Sequence, residues 1–486
     1  MNILFINLII SIILTISIWG QTADESLTTE RIRLYLNQIE EVGFSGSVLV
    51  EIEGKKVLSE GYGFRNIELK EKNTPSTIFD TGSITKQFTA TAIMKLVTDG
   101  RLSTSDNLSM YFENVPDDKK NITIHDLLKH QSGLQSNVGR DYEKITQEEF
   151  IDKVLNSRLI SEPGTDFNYS NIGYSLLAMI IEKVSGSDYE TYLYNNLFQP
   201  AQMEFTGYTR PHFDSNKVAV TYYMDDRFWG KPTEKEWDTT APYWHLTGNG
   251  GILSTTEDLY KWHKALLSEQ ILTAEAKEKF YHPQLRSEED EKIYYAYGWE
   301  VSVTDRNTRQ VWHNGSNNIF YADFLRYIDE NTAIIMLSNK FHPNFLSVNR
   351  EISKIIFNPD YVPAIPVADN KINRSFTNNI LETIINSGIE EAKQKYINKG
   401  QEEELLEFEM RKQGFNQLDD NNPEIAIQIF EMNVFAFPDN AKALQGLGEA
   451  YMETGNNELA IKYFKKSIAI NPDNPFVNDM LKQLEN

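Results

Sequence analysis

The sequence predicts an α/β chain of the α+β kind: one antiparallel sheet flanked by helices, with a helical subdomain, followed by an all-α array of helical repeats. Three observations predict it. Two stretches, 45–64 and 318–339, alternate and turn as β-hairpins near the two ends of the first 340 residues. Between them the apolar residues recur mostly with helical spacing, as at 84–99 and 173–185. Beyond residue 376 the chain repeats itself with a period of 34 residues. Hairpins at both ends of a helical middle imply one sheet assembled from the chain termini, rather than an alternation of parallel βαβ units.

Taken in order, the first element is MNILFINLIISIILTISIWG (1–20), apolar from Ile3 to Trp19 and without a charged side chain. It reads as a signal peptide cut after Gly20, placing the mature protein outside the cell or in a periplasm. The alternative is a retained membrane anchor, for which a run of about 17 residues is short. SGSVLVEIEG and KKVLSEGYGF (45–64) form two strands around Glu53-Gly54. NIFYADFLRYI and TAIIMLSN, separated by DEN, form the second hairpin. YVPAIPVADN (361–370), with two prolines and no helical period, reads as a linker. The expected organisation is therefore a leader at 1–20, a large domain at 25–358, a linker at 359–375 and helical repeats at 376–486.

Three short motifs in the large domain carry chemistry. Ser83-Ile84-Thr85-Lys86 opens the first helical stretch. Its spacing puts Ser83 and Lys86 on one face, one turn apart, where an amine can take a hydroxyl proton. The bland alternative is an N-cap serine and a solvated lysine, and about two such matches arise by chance in a chain of this length. Tyr169-Ser170-Asn171 follows the Pro163-Gly164 turn and precedes a new helix. Within the large domain, Tyr-x-Asn also occurs at Tyr35 and Tyr194, which lie inside helical patterns where the ring reads as core. A tyrosine beside an ammonium can be acidified enough to act as a base. His313-Asn314-Gly315-Ser316 contains the one His-x-Gly of the chain, with a glycine that permits close approach and a backbone N–H at Ser316.

Together, in this order, the motifs resemble the serine β-lactamase-related hydrolases of the class C type, a family of penicillin-recognising peptidases, D-aminopeptidases and esterases. Further landmarks are FDTGSITKQFTATAIMKLVTDGRL (79–102), HDLLKHQSGL (125–134), GYSLLAMIIEKVSG (173–186) and GNGGILSTTEDLYKW (248–262), so the resemblance runs over about 44–340. It implies an acyl-enzyme on Ser83, proton transfer shared by Lys86 and Tyr169, and a site closed by Asn171, His313 and Gly315. The N–H groups of Ser83 and Ser316 would form the oxyanion hole. Which of Lys86 and Tyr169 is the base stays open. Where β-lactamases of this group usually carry a lysine, this chain has His313, mostly neutral at pH 7. That favours an ester or a D-amino amide over an efficient β-lactamase, with a small molecule or peptide as substrate. The competing readings are a weak penicillin sensor and a scaffold protein without turnover.

In the C-terminal array, Ala426, Phe430, Pro438 and Asp439 recur as Ala460, Phe464, Pro472 and Asp473. The unit containing Leu447, Gly448, Tyr451, Ala460, Phe464 and Pro472 resembles the tetratricopeptide repeat. Ala392 and Tyr396 mark an earlier degenerate unit, and 475–485 a capping helix. Such arrays bind a peptide or protein partner. Composition excludes other classes. With no cysteine there is no thiol catalysis, Cys-ligated zinc or disulfide. A net charge of −23, from 47 basic and 70 acidic residues, opposes nucleic-acid binding. His125 and His130 have the wrong spacing for a zinc helix and read as structural, supporting the Ser132-Gly133 loop. No metal and no cofactor are expected. The aromatics Trp229, Trp237, Tyr243 and Trp244 line either the pocket or the core.

Overall fold

The computed structural model of the chain describes residues 26–223, 227–234, 243–282, 285–286, 293–366, 371–420, 422–472 and 474–485. The expected leader and Trp237 lie outside them. The chain divides into two compact units, one built mainly from 26–366 and the other mainly from 371–485. Among the described residues no helix is long and apolar enough to cross a membrane.

The first unit is organised by an eight-stranded sheet. Its strands are β1 (Gly46–Ile52), β2 (Lys55–Tyr62), β3 (Leu285–Arg286), β4 (Tyr294–Tyr295), β5 (Glu300–Val303), β6 (Arg309–Ser316), β7 (Tyr321–Tyr327) and β8 (Thr332–Ser338). Their spatial order is β2-β1-β8-β7-β6-β5-β4-β3. Every pairing is antiparallel, and β1 meets β8 with Gly46 opposite Ser338 and Glu51 opposite Ala333. The two ends of the unit thus close one sheet, as the hairpin patterns predict.

β7 (YADFLRY) and β8 (TAIIMLS) are buried at every position, so their apolar runs do not alternate. On one face the helix at 26–41 and the helix Val348–Phe357 lay Ile32, Tyr35, Leu36, Ile39, Val348 and Ile352 against Val48, Val50, Leu325 and Ile334. At about 25 cal/mol per Å² of apolar surface, that layer supplies much of the unit's driving force. The other face carries the helical middle, with the helix Thr256–Leu267 on β1 and β8. Next to it runs Thr85–Thr98, buried over Thr85–Met94 and at Leu96, with Phe88 between Phe198 and Trp262, 5.0 Å from each ring. A helix surrounded on all sides holds its first turn rigidly, and Ser83 leads into that turn.

Capping sets several other helix starts. Thr123 with Asp126, and Thr146 with Glu149, form complete capping boxes. The Ser170 hydroxyl accepts the N–H of Gly173 and starts Asn171–Ser185, which ends at Gly186 with φ +72°. Such a cap contributes about 1 kcal/mol.

The second unit is all helical: Lys371–Ser387, Ile389–Ile397, Glu407–Asp419, Pro423–Ala436, Ala441–Glu453, Asn457–Ile470 and Pro475–Glu485. The first of these begins inside the stretch expected as linker. Phe430 fits where Gly414 and Gly446 leave room, since a Cβ on either would lie 2.5 or 2.3 Å from its ring. Phe464 stands against Gly448 in the same way, at 2.6 Å. One expectation fails. Tyr35 is core, but Tyr194 is 37% exposed, because the helix there opens into a π turn over Tyr194–Phe198 and carries the ring outward.

Candidate active site

Ser83 lies in the 3-10 turn Gly82–Ile84, at the head of the buried helix Thr85–Thr98. Its side chain is part-exposed while both neighbours are buried, so the hydroxyl is accessible from one direction. Gly82 adopts φ +51°, and a Cβ there would sit 2.6 Å from the Ser316 nitrogen. From β6, a Cβ on Gly315 would lie 2.0 Å from the Thr81 oxygen and 2.7 Å from the Ser83 nitrogen. The glycine of the His-x-Gly motif therefore admits the backbone of 81–83. The Ser316 nitrogen thus lies beside Gly82, and the Ser83 nitrogen beside Gly315.

Lys86 is fully buried. Its Nζ is 3.1 Å from Ser83 Oγ, 2.7 Å from Asn171 Oδ1 and 2.8 Å from the Asn249 carbonyl. Burial pushes its pKa well below the usual lysine range, and Asp141 only partly offsets this. Tyr169 is hydrogen-bonded to Ser83, and Lys86 Nζ stands 4.7 Å from its ring centroid. Its phenol is raised above the ordinary value by burial, Ser83 offsetting only part of the rise. The expectation of an acidified tyrosine is thus corrected: burial outweighs the Ser83 hydrogen bond, and Glu300 adds to the rise.

His313, on β6, is buried and pushed down to about 3 by burial first and by Lys86 second. Its Nε2 is 3.0 Å from the Tyr295 hydroxyl, and Nδ1 contacts the Asn314 carbonyl. Position 313 therefore contributes a neutral ring and no positive charge. Asn171 Nδ2 donates to Asn137 Oδ1 at 2.9 Å, which fixes the amide so that its oxygen faces Lys86.

The motif residues Ser83, Lys86, Tyr169, Asn171, His313, Gly315 and Ser316 all converge on this one place. Several partners escaped sequence reasoning. Asn249, in the GNGG turn, supplies Lys86 with a carbonyl, and its own amide donates to Ser175 Oγ and the His245 carbonyl. The Tyr208 hydroxyl clamps that turn, donating to the Gly250 carbonyl at 2.8 Å and accepting Gly248 N–H at 3.0 Å. His130 is structural, but it acts on the tyrosine more than on Ser132-Gly133: its Nδ1 accepts the Ser170 N–H at 3.0 Å. Trp229 is 6.2 Å from the Phe320 ring and 6.1 Å from that of Tyr142. The signals were present as a run of glycines and a doubled histidine, but neither names its partner. Among the described residues no group of three or more His, Asp or Glu could hold a metal ion.

Comparison with known proteins gives a consistent set. The beta-lactamase family model matches residues 37–355, and a tetratricopeptide repeat model matches 441–474. Penicillin-binding protein 4* of Bacillus subtilis is 30% identical over 311 residues, covering 61% of this chain and 68% of its own. The octameric penicillin-binding protein homologue of Pyrococcus abyssi aligns with a TM-score of 0.58 at 27% identity, over 73% of this chain and 81% of that one. A class C beta-lactamase mutant aligns with a TM-score of 0.60 at 20% identity, over 69% of this chain and 98% of its own. At that identity the likeness is one of fold.

Proposed function

Because the chain belongs to the beta-lactamase family and is thereby a serine hydrolase, we propose that it cleaves an ester or a D-amino amide through an acyl-enzyme on Ser83. The observation that carries the reading is the setting of Lys86. A neutral amine has two N–H groups, and Asn171 Oδ1 and the Asn249 carbonyl take both. The remaining lone pair faces Ser83 Oγ at 3.1 Å, placed to accept its proton.

Ser83 Oγ then attacks the substrate carbonyl while its proton moves to Lys86. The carbonyl oxygen, now anionic, is received by the N–H groups of Ser83 and Ser316. Tyr169, neutral and hydrogen-bonded to Ser83, gives its proton to the leaving group and is reprotonated from Lys86. Water enters by the reverse route: Tyr169 and Lys86 take its proton, the hydroxide attacks the acyl carbonyl, and Ser83 leaves with a proton returned. Asn171 orients the amine throughout. The neutral His313 supplies no fixed cation for a substrate carboxylate, which disfavours efficient β-lactam turnover.

The test is a panel of short-chain p-nitrophenyl esters, D-amino amides and β-lactams, run on wild type and Ser83→Ala. Esters or amides should be turned over by the wild type and not by the variant. Cephalosporins cleaved far better than esters would overturn the substrate class, and activity surviving in Ser83→Ala would overturn the nucleophile. We assign the helical unit a peptide or protein partner, and the mature enzyme a place outside the cytoplasm, on the repeat pattern and the apolar N-terminus respectively.

A further inference from the structure

The two candidate oxyanion donors belong to segments some 230 residues apart, and they meet where Gly82 and Gly315 leave backbone against backbone. Nothing about two bare backbones fixes the spacing between them. One side-chain bridge crosses this seam close to the nucleophile. Asp80, three residues ahead of Ser83, is 2% exposed. Its Oδ1 accepts the Gly82 N–H at 2.7 Å and its Oδ2 accepts Asn317 Nδ2 at 3.1 Å. Asn317 in turn holds the turn after β6: its Oδ1 accepts the N–H groups of Ile319 and Phe320 at 3.2 and 2.7 Å. Ser316 Oγ closes the same turn, donating to the Phe320 carbonyl at 3.1 Å and accepting Asn318 N–H at 2.9 Å.

We propose that Asp80 and Asn317 are positioning residues that clamp the Gly82–Ser83 backbone to the Ser316 turn and so set the oxyanion hole. The proposal rests on the assignment of Ser83 as nucleophile. Neither residue touches substrate; each acts through the backbone it holds. A carboxyl at this place is a poor choice for stability alone. Burial drives Asp80 up to about 7, with Asp141 adding to the rise, and the Gly82 and Asn317 hydrogen bonds only partly counter it. An asparagine could keep the Gly82 bond without that cost, so the acceptor facing Asn317 is what the aspartate adds.

The bridge has a polarity that can be reversed. In Asp80→Asn the new amide nitrogen faces the Asn317 nitrogen, donor to donor, and Asn317 cannot turn over because its oxygen is already held by two N–H groups. In Asn317→Asp two carboxylate oxygens face each other. The double variant restores one donor and one acceptor with every other bond kept.

The experiment measures p-nitrophenyl ester hydrolysis, Ser83 labelling by a fluorophosphonate, and thermal melting for wild type, both singles and the double. Each single should lose about 10²-fold in kcat with little change in KM, since the oxyanion exists only in the transition state. The double should recover most of that loss, which a general loss of stability would not do. Singles at the wild-type rate, or a double as slow as the two losses combined, would overturn the clamp. Should Asp80→Asn fail to fold, Asn317→Asp alone carries the test, since it removes the donor and keeps the oxygen that holds Ile319 and Phe320: a slowed kcat supports the clamp, and an unchanged one refutes it. A wild type that takes up no label at Ser83 would overturn the nucleophile and the clamp with it. A labelled wild type with unaffected variants overturns the clamp alone.

Discussion

The imidazole of His130 packs 4.3 Å, centroid to centroid, from the phenol ring of Tyr169. The same imidazole lies 5.1 Å from Tyr174 and 4.7 Å from Tyr295, and Tyr295 in turn bonds His313. The tyrosine of the site thus leans on a buried wall of rings that runs to the third motif. Burial drives His130 well below its ordinary pKa, so the wall is uncharged.

Removing that wall should loosen Tyr169 without touching it. His130→Ala is expected to destabilise the protein by about 3 kcal/mol, in the range for truncating a buried ring. It should also slow Ser83 labelling about 10²-fold, as misplacement of a catalytic group does. His130 has φ +59°, so His130→Asn, which tolerates that conformation, separates the ring from the backbone effect. Labelling rates and melting curves of both variants read the outcome; Asn at the wild-type rate would disprove the ring's role.

Lys86→Arg should abolish acylation although it keeps a nitrogen donor near Ser83. A guanidinium does not shed its proton, whereas burial drives Lys86 toward the neutral form. The loss expected is ~10³-fold in kcat/KM, with a lowered melting temperature from an added buried charge. In the wild type the rate should fall only when the pH drops through the lowered pKa of Lys86. His313, near 3, should add no inflection at the usual histidine value of 6.5. An inflection there that vanished in His313→Gln would contradict the burial of that ring.

Asp323 gives a pH-dependent stability with a definite sign. It is 6% exposed on β7, and burial lifts its carboxyl from 3.8 to about 7, with Arg350 countering and Glu300 adding. The folded protein holds this proton more tightly than the unfolded chain, so ionisation costs stability as the pH rises from about 4 to about 7. Below that window the cost is absent; above it the cost is complete. Asp323→Asn should match the wild type at pH 4 and melt higher at pH 8, as scanning calorimetry across this range would show. A variant that melts lower at pH 8 would refute the assignment.

Gly315→Ala tests the seam of the site from its other side. Its Cβ would meet the Thr81 oxygen at 2.0 Å, backbone that has no flexible end to swing away. Separation of the two segments should cost about 1–3 kcal/mol and remove one oxyanion donor from reach. Loss of labelling with a modest drop in melting temperature is the expected result. Normal labelling would mean that the segments tolerate a wider spacing.

Much of this was legible because it is local. Ser83 and Lys86 are one helical turn apart, Tyr169 and Asn171 flank a cap, and the two hairpins each carry their own turn. The helical repeat declared itself through small residues opposite Phe430 and Phe464. What stayed hidden depends on distant segments. Lys86 draws on Asn249, 163 residues away, and Asp80 on Asn317, 237 residues away. The ionisation of Tyr169 is not legible because it depends on how deeply the phenol itself is buried, and spacing carries no record of depth. Tyr194 was misplaced because a single π turn shifts the helical register.

The sheet order β2-β1-β8 has a consequence for the newly made chain. On the proposed mechanism, synthesis delivers the nucleophile early and its second oxyanion donor late, and the inner edge of β1 waits for β8, some 280 residues further on. Until then the early hairpin presents an unpaired edge, and Ser83 has half an active centre. A chain stopped before Ser316 would carry the complete Ser-x-x-Lys motif and yet hydrolyse nothing. On that mechanism the enzyme stays silent while it is being made, and activity begins only when the two ends of its sheet meet.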